Sequence, residues 1–241
     1  MLVGGLRKLS LIDYPGKLSA VVFTQGCNFR CSYCHNAELV VPDLFTDPIP
    51  PEDVLSFLAG RRGRIEGVVL TGGEPLQQSD LADFLSDVRA MGYAVKLDTN
   101  GSYPDRLQVL LSKGMLDYIA MDYKAPSGKY ALVGGQGADA CSIKRTLAVI
   151  TQSGLPYEVR TTLFRGMTKE DIVQMMEELK NAGVKNYYLQ MTCDDYHGRF
   201  AGLTESELIS LFKQHCEEFH ICGIRNTYAD NRKESLTMGR W

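Results

Sequence analysis

The chain has 241 residues, of which 44% are hydrophobic and 23% are charged. Both values are ordinary for a globular protein, and the length is sufficient for one domain with a substantial core. The formal net charge of -3 gives no overall attraction to nucleic acid or to an anionic membrane, so neither is expected as a partner.

The apolar runs and the first residues predict a cytoplasmic protein. No run reaches the roughly 18 consecutive apolar residues of a membrane-spanning helix. The beginning of the chain lacks the apolar stretch and the small-residue cleavage site of a secretory signal. The seven cysteines are therefore expected to be reduced thiols, and a close group of them is expected to serve metal or redox chemistry.

Short apolar runs alternate with helical patterns along the chain. The runs predict strands over residues 18–24, 67–71, 94–99, 117–121, 157–164 and 186–191. The helical patterns cover residues 52–59, 79–91, 106–112, 142–153, 169–182 and 204–218. Ser79 and Thr168 are expected to be N-caps, and Gly92 and Gly183 are expected to end helices in the left-handed conformation.

The order of these elements predicts an α/β fold. Repeated strand–helix units with short connections imply parallel strands joined by right-handed crossovers. Such units form either a doubly wound sheet or a full or partial barrel, and both folds place sites at the C-terminal ends of strands. We expect a single domain over residues 1–241, with its core at about 17–227 and a tail at 228–241. The Pro-rich residues 42–51 are expected to be a surface loop rather than a linker.

Cys27, Cys31 and Cys34 follow directly on the first predicted strand with C-x3-C-x2-C spacing. Three thiolates on one loop can supply ligands to three of the four irons of a [4Fe–4S] cluster, which leaves the fourth iron open. A structural zinc site would need a fourth ligand, and His35 is adjacent to Cys34, an awkward spacing for one tetrahedral ion. The spacing therefore favours a cluster over a zinc site or unligated thiols. The remaining cysteines are expected to be core residues or incidental thiols: Cys141, Cys193, Cys216 and Cys222.

A second motif, Thr71-Gly72-Gly73-Glu74-Pro75, ends the second predicted strand. Paired glycines allow a ligand to approach the backbone, and Glu74 can accept hydrogen bonds from an ammonium group. A Gly-Gly pair after a strand is usually only a turn. Its position one unit after the cysteine loop favours a ligand site.

Polar residues also end the third and fourth predicted strands. Asp98 and Thr99 lie at the first of these ends, and Asp122 and Lys124 lie at the second. Polar side chains at the C-terminal ends of strands can take part in a site. The alternative is that these side chains are simply solvated.

Glu158 and Arg160 share one face of the fifth predicted strand, because side chains alternate along a strand. If that face points into the barrel, Arg160 needs an anionic partner. If it points outward, Arg160 pairs with a helix residue and has no part in a site.

The cysteine spacing, with Tyr33 before the last cysteine and Gly-Gly-Glu-Pro after it, resembles the radical S-adenosylmethionine superfamily. Within it, residues 10–36 resemble the anaerobic ribonucleoside-triphosphate reductase activating proteins, and the pyruvate formate-lyase activating enzymes are close relatives. The resemblance covers essentially the whole chain and is strongest over residues 10–36 and 67–125. It implies a partial (β/α)6 barrel with a [4Fe–4S] cluster at its open mouth.

The resemblance also implies how a cofactor binds. In such enzymes the methionine part of S-adenosylmethionine chelates the open iron, and reduction of the cluster releases a 5′-deoxyadenosyl radical. An aspartate–threonine pair and a later aspartate line the polar end of the cofactor, and some relatives hold a monovalent cation there. The resemblance suggests the cofactor carboxylate as a partner for Arg160. The residues it implies around the cofactor are Tyr33, Gly72, Gly73, Glu74, Asp98, Thr99, Asp122, Lys124 and Arg160.

The implied activity is that of a glycyl-radical-enzyme activase. Its expected partner is anaerobic ribonucleotide reductase first and pyruvate formate-lyase second, and a flavodoxin or ferredoxin is expected to donate electrons. No residue of the chain is then needed as a general acid or base. The alternatives are a small-molecule radical enzyme and, from another class, a simple electron-transfer or zinc-binding protein.

Overall fold

The computed structural model describes residues 1–135, 137–191, 199–200 and 203–225. The predicted tail, 228–241, and Cys193 lie outside these residues. The strands are β1 Val3–Ser10, β2 Ser19–Thr24, β3 Gly67–Gly72, β4 Ala94–Thr99, β5 Tyr118–Asp122, β6 Tyr157–Thr162, β7 Asn186–Gln190, β8 Arg199–Phe200, β9 Leu203–Thr204 and β10 Ile221–Arg225. The helices are α1 Ala37–Val40, α2 Pro51–Ala59, α3 Leu81–Ala90, α4 Pro104–Ser112, α5 Tyr130–Gly134, α6 Ala140–Gln152, α7 Lys169–Asn181 and α8 Glu205–His215.

One sheet of eight strands organises the molecule, in the order β1-β2-β3-β4-β5-β6-β7-β10. The strands from β2 to β10 in this order are parallel, and β1 is antiparallel to β2. No pairing joins β1 to β10 in the described part of the chain, so the sheet is open. The predicted partial α/β barrel is confirmed.

Two strands of the sheet were not predicted. The six predicted strands correspond to β2 through β7 within about two residues, but β1 and β10 show no clear alternation. β1 contains Gly4 and Gly5, which weaken a strand pattern, and it forms because it pairs with β2. The sheet therefore begins at Val3, which is fully buried, ahead of the predicted core boundary near residue 17.

The two faces of the sheet have different neighbours. Val68 and Leu70 belong to the large apolar cluster that the helices cover, whereas Val69, between them, faces the other way. Tyr14, from the loop after β1, packs against Val69 on this inner face. The charged side chains of β4 and β6 also lie on this face, so the inside of the barrel is polar beyond the small apolar group. They are Lys96, Asp98, Glu158 and Arg160.

Helix ends follow local chemistry in most cases. Thr168 caps α7 in a capping box with Asp171, as predicted for the N-cap. Gly92 and Gly183 adopt φ values of 90° and 75° after α3 and α7, as predicted. The prediction for Ser79 is wrong, because α3 begins at Leu81 and its N-cap is Asp80.

The expectation that all seven cysteines are reduced is wrong for two of them. Cys216 and Cys222 form a disulfide, with their Cα atoms 5.8 Å apart. Cys216 follows the end of α8 and Cys222 lies in β10, so the return of the chain from helix to sheet brings them together. None of the helices that the structure describes is long and apolar enough to cross a membrane.

Candidate active site

The cysteine loop lies at the C-terminal end of β2. Cys27, Cys31 and Cys34 are partly exposed and line one cavity together. Within the described ranges, no three His, Cys, Asp or Glu side chains converge on a point where a single metal ion would bind. The three cysteines lie along one loop, an arrangement that fits a polynuclear cluster with three cysteine ligands.

The Cys27 sulfur is largely enclosed by the protein. Burial raises the pKa of its thiol to about 11. The backbone N–H of Phe29 donates to Cys27 Sγ at 3.3 Å, and the Asn100 amide donates to the same atom at 3.7 Å. Such donors stabilise negative charge on a thiolate sulfur.

Gly72 and Gly73 join the end of β3 to the cysteine loop. The Gly73 N–H donates to the Thr24 carbonyl at 2.8 Å. A Cβ atom on Gly73 would lie 2.1 Å from the Gly26 carbonyl oxygen, and one on Gly72 would lie 2.4 Å from the Thr24 nitrogen. Both glycines line the cavity, but the close approach that they permit is between two segments of the protein itself.

Glu74 is fully buried and turns away from the cavity that these glycines line. Its carboxylate accepts hydrogen bonds from the Leu76 N–H at 3.0 Å, the Thr99 hydroxyl at 2.9 Å and the Asn100 N–H at 2.7 Å. Burial raises the pKa of Glu74 to about 7 despite these donors. Its visible role is therefore to fix the ends of β3 and β4 relative to each other rather than to face a ligand.

The predicted strand-end charges meet on the inner face of the barrel. Arg160 donates to Asp122 Oδ1 through Nε and Nη2, at 3.0 and 2.9 Å, and to Asp98 Oδ2 through Nη1 at 3.4 Å. Lys96 donates to Asp98 Oδ1 at 2.7 Å, and Lys124 donates to Asp122 Oδ2 at 3.2 Å. Burial alone would raise the pKa of Asp122, but the Arg160 and Lys124 charges lower it to about 2. The Asp122 carboxylate is therefore held ionised.

An acidic residue of β6, Glu158, extends this group. Glu158 accepts from Arg225 at 2.7 Å and lies 3.7 Å from Arg160. Arg225 also stacks on the Tyr188 ring, 3.6 Å from its centroid. The face that carries Glu158 and Arg160 thus points inward, and Arg160 is paired with protein carboxylates.

Two aromatic side chains, Phe29 and Tyr33, line the cavity. The Tyr33 and Phe164 rings are stacked, with centroids 4.4 Å apart and planes 6° from parallel. The buried Tyr33 hydroxyl has no hydrogen-bond partner within the described chain, although it adjoins a cavity with several polar groups. A flat aromatic wall, an unsatisfied hydroxyl and a charged far end suit a ligand that joins a ring system to a zwitterion, as S-adenosylmethionine does.

The cavity thus brings together most of the predicted residues. Glu74 and Arg160 are not among its lining residues. The predicted residues that line it are the three cysteines, Tyr33, Gly72, Gly73, Asp98, Thr99, Asp122 and Lys124. Sequence reasoning missed the stacking of Phe164, although it follows β6 closely. It also missed that Asn100 Nδ2 reaches both Cys27 and Asn28, a pairing that spacing alone does not show.

A family model matches most of this site. The model described as the Radical SAM superfamily matches residues 21–179. The matched region runs from β2 into α7, and it includes the cysteine loop and all strand ends that line the cavity.

Two relatives match over most of the chain. A Methanocaldococcus jannaschii protein described as a candidate glycyl-radical enzyme activating enzyme is 31% identical over 229 residues, which cover 88% of this chain and 90% of that protein. The GTP 3',8-cyclase of Helicobacter pylori strain J99 is 29% identical over 225 residues, which cover 89% of this chain and 66% of the cyclase. The match thus spans slightly less than two thirds of the cyclase.

Solved structures share the architecture. The structure of TYW1 with a lysine-pyruvate adduct bound has a TM-score of 0.63 at 18% identity, covering 88% of this chain and 77% of that one. Native anSMEcpe with bound AdoMet has a TM-score of 0.61 at 14% identity, covering 82% of this chain and 58% of that one. At these identities the likeness concerns the fold alone.

Proposed function

The chain belongs to the radical S-adenosylmethionine superfamily, and from this premise we propose that it is an activase that places a radical on a glycine of a partner enzyme. The proposed partner is anaerobic ribonucleotide reductase, with pyruvate formate-lyase as the second choice. A flavodoxin or ferredoxin is proposed as the electron donor. The superfamily implies an enzyme with a [4Fe–4S] cluster that cleaves S-adenosylmethionine.

The observation that carries the proposal is the extent of one match. The relative described as a candidate glycyl-radical enzyme activating enzyme aligns over 90% of its own length. The cyclase match, by contrast, leaves about a third of that enzyme outside the alignment. The likeness of residues 10–36 to reductase activating proteins supports the same choice.

Different residues of this chain would bind the cluster and the two ends of the cofactor. Cys27, Cys31 and Cys34 would hold the cluster, and Tyr33 would lie against the adenine of the cofactor. Lys124 and Asp122 would face its methionine end, where the charges complement a zwitterion. When bound, the cluster supplies the electron that cleaves the cofactor, and the chain itself orients the cofactor and limits access of water.

The test is transfer of a radical to a glycine. The cluster-loaded protein is incubated anaerobically with S-adenosylmethionine, a strong reductant and anaerobic ribonucleotide reductase. We expect a doublet in the electron paramagnetic resonance spectrum that collapses when the α-hydrogen of the partner's glycine is replaced by deuterium. The matched control is a partner in which that glycine is alanine.

The same reaction distinguishes the alternatives. A doublet only with pyruvate formate-lyase would keep the activase class and change the partner. Consumption of GTP or another small metabolite with stoichiometric 5′-deoxyadenosine, and no protein radical with either partner, would refute the activase proposal. The cluster site would survive that result, because it depends on different residues.

A further inference from the structure

The guanidinium of Arg160 lies between the carboxylates of Asp98 and Asp122. In some activating enzymes the residues that correspond to Asp98, Thr99 and Asp122 accompany a monovalent cation, as the resemblance implies. We propose that in this chain Arg160 takes the place of that cation, so that the cofactor binds without a monovalent ion.

The carboxylate oxygens are the first reason. Asp122 Oδ1 accepts two hydrogen bonds from Arg160, at 3.0 and 2.9 Å, and its Oδ2 accepts from Lys124 at 3.2 Å. Asp98 Oδ1 accepts from Lys96 at 2.7 Å, and its Oδ2 accepts from Arg160 at 3.4 Å. Each of the four oxygens that would bind the ion therefore already faces a positively charged side chain.

The hydroxyl group that would complete such a site is also engaged. Thr99 is 3% exposed. Its hydroxyl donates to Glu74 Oε1 at 2.9 Å and accepts from the Gly101 N–H at 3.1 Å. An ion at this position would have to compete with a hydrogen-bonded turn that joins β4 to the buried Glu74.

The balance of charge is the second reason. The linked group contains three carboxylates, Asp98, Asp122 and Glu158, and four cations, Lys96, Lys124, Arg160 and Arg225. These cationic side chains already exceed the carboxylates by one charge before any ion is added. A further cation in this enclosed region would raise the repulsion, whereas an anionic group would balance it. The excess charge suits the carboxylate of the cofactor.

Arg160 is fixed in this position from two sides. Its side chain is 13% exposed, and Glu158 of the same strand lies 3.7 Å away. In the sheet register Arg160 is opposite Asp122, so the strand pairing itself brings the guanidinium to the carboxylate. A planar guanidinium donates to both carboxylates through separate nitrogens held in a fixed fork, and a lysine ammonium lacks this fork.

The test compares cations in the cluster-loaded protein. Binding of S-adenosylmethionine and the thermal unfolding midpoint of the cofactor-free protein are measured in sodium, potassium and choline chloride at equal ionic strength. The wild type is expected to give the same affinity and the same midpoint in all three salts. In Arg160→Ala we expect affinity to fall roughly 10- to 100-fold in choline. Sodium or potassium should restore most of the lost affinity and raise the thermal unfolding midpoint of this variant.

Two variants make the comparison specific. Arg225→Ala removes another arginine of the same charged group that contacts Glu158, and it should gain no response to sodium or potassium. Arg160→Lys keeps the positive charge, so sodium and potassium should raise its affinity for S-adenosylmethionine less than they raise that of Arg160→Ala. If Arg160→Ala does not fold, the Arg160→Lys variant still tests the proposal.

The proposal fails on either of two results. A wild type that loses affinity about tenfold or more in choline would show that an ion is needed despite Arg160. Arg160 variants that bind S-adenosylmethionine weakly in every salt would show that the guanidinium does not substitute for an ion. The inference depends on binding of S-adenosylmethionine but not on the glycine partner, so failure of the radical-transfer test would leave it untouched.

Discussion

Individual side chains at the mouth of the barrel perform two different tasks. Cys27, Cys31 and Cys34 face the cavity and can bind a ligand there. Glu74, although part of the motif that follows β3, is fully buried and binds the protein's own backbone. Substitutions at these positions should therefore fail in different ways.

Loss of one of the three proposed cluster ligands should abolish binding of the cluster. In Cys31→Ala only two cysteine ligands remain on the loop, so we expect loss of the iron–sulfur absorbance and of S-adenosylmethionine cleavage. The matched control is Cys141→Ala, whose exposed thiol lies in the first turn of α6. An intact, active cluster in Cys31→Ala would refute the assignment, whereas the control should retain iron and activity.

Replacement of Glu74 should change how stability depends on pH. The folded state holds the Glu74 proton up to a pKa of about 7, above the ordinary value of 4.5. Between these two pH values the folded state binds more protons than the unfolded state, so ionisation of Glu74 lowers the free energy of unfolding as pH rises. Glu74→Gln cannot ionise. This variant should lose about 1–3 kcal/mol in the free energy of unfolding at low pH, because its amide nitrogen faces backbone donors. The difference in stability between wild type and variant should narrow towards neutral pH.

The measurement is the unfolding midpoint of both proteins, cluster-loaded and anaerobic, from about pH 5 to about pH 8. Glu177→Gln, at an exposed position of α7, controls for the loss of a carboxylate and should follow the wild type. Profiles of wild type and Glu74→Gln that run parallel across this range would contradict the raised pKa.

At the scale of elements, the helices are placed by their caps and by the face that packs on the sheet. α7 shows both causes. Thr168 and Asp171 form a reciprocal capping box at its first turn, and Met175, Met176 and Leu179 are buried against the sheet. The cap defines where the helix begins, and the apolar stripe defines which side faces the core.

Removal of the cap should weaken α7 without changing its position. Thr168→Ala leaves the Asp171 N–H without its side-chain acceptor, and we expect a loss of about 1 kcal/mol in the free energy of unfolding. Thr168→Ser keeps the hydroxyl and should lie within a few tenths of a kcal/mol of the wild type. The comparison is made by chemical denaturation, and equal losses in both variants would show that the hydroxyl is not the cause.

At the scale of the whole molecule, the cysteine loop is enclosed by segments that lie far away in sequence. The Asn28 amide donates to the Gly137 carbonyl at 3.3 Å, and the Arg30 N–H donates to the Gly134 carbonyl at 2.9 Å. Asn100 reaches the loop from the end of β4. The geometry of the proposed cluster site therefore depends on the connection between β5 and α6 as well as on the loop itself.

Gly137 provides a test of this dependence. A Cβ atom there would lie 2.2 Å from the Asn28 carbonyl oxygen, so Gly137→Ala should push the connection away from the loop and lower the iron content after reconstitution. Gly128→Ala lies in the same connection, has no atom within 4 Å of its added Cβ and should retain iron like the wild type. Equal iron in both variants would show that the contact at Gly137 does not support the site.

The sequence by itself determined the elements whose signals are local. Apolar runs and helical patterns predicted six parallel strands and their helices, and the spacing of three cysteines indicated their common loop. Thr168 and Gly183 marked helix ends because capping depends on a few neighbouring residues. Such features need no information about distant segments.

The tertiary structure decided what depends on partners across strands. β1 forms because it pairs with the edge of β2. Cys216 lies beside Cys222 because the chain returns from α8 to the sheet. Only the register of β5 and β6 shows that Arg160 lies opposite Asp122. The physical reason is that strand order and register determine the partner of a buried charge, and both arise from long-range packing. Hydrophobic periodicity and the types of ligand residue depend only on residues that are neighbours in the sequence.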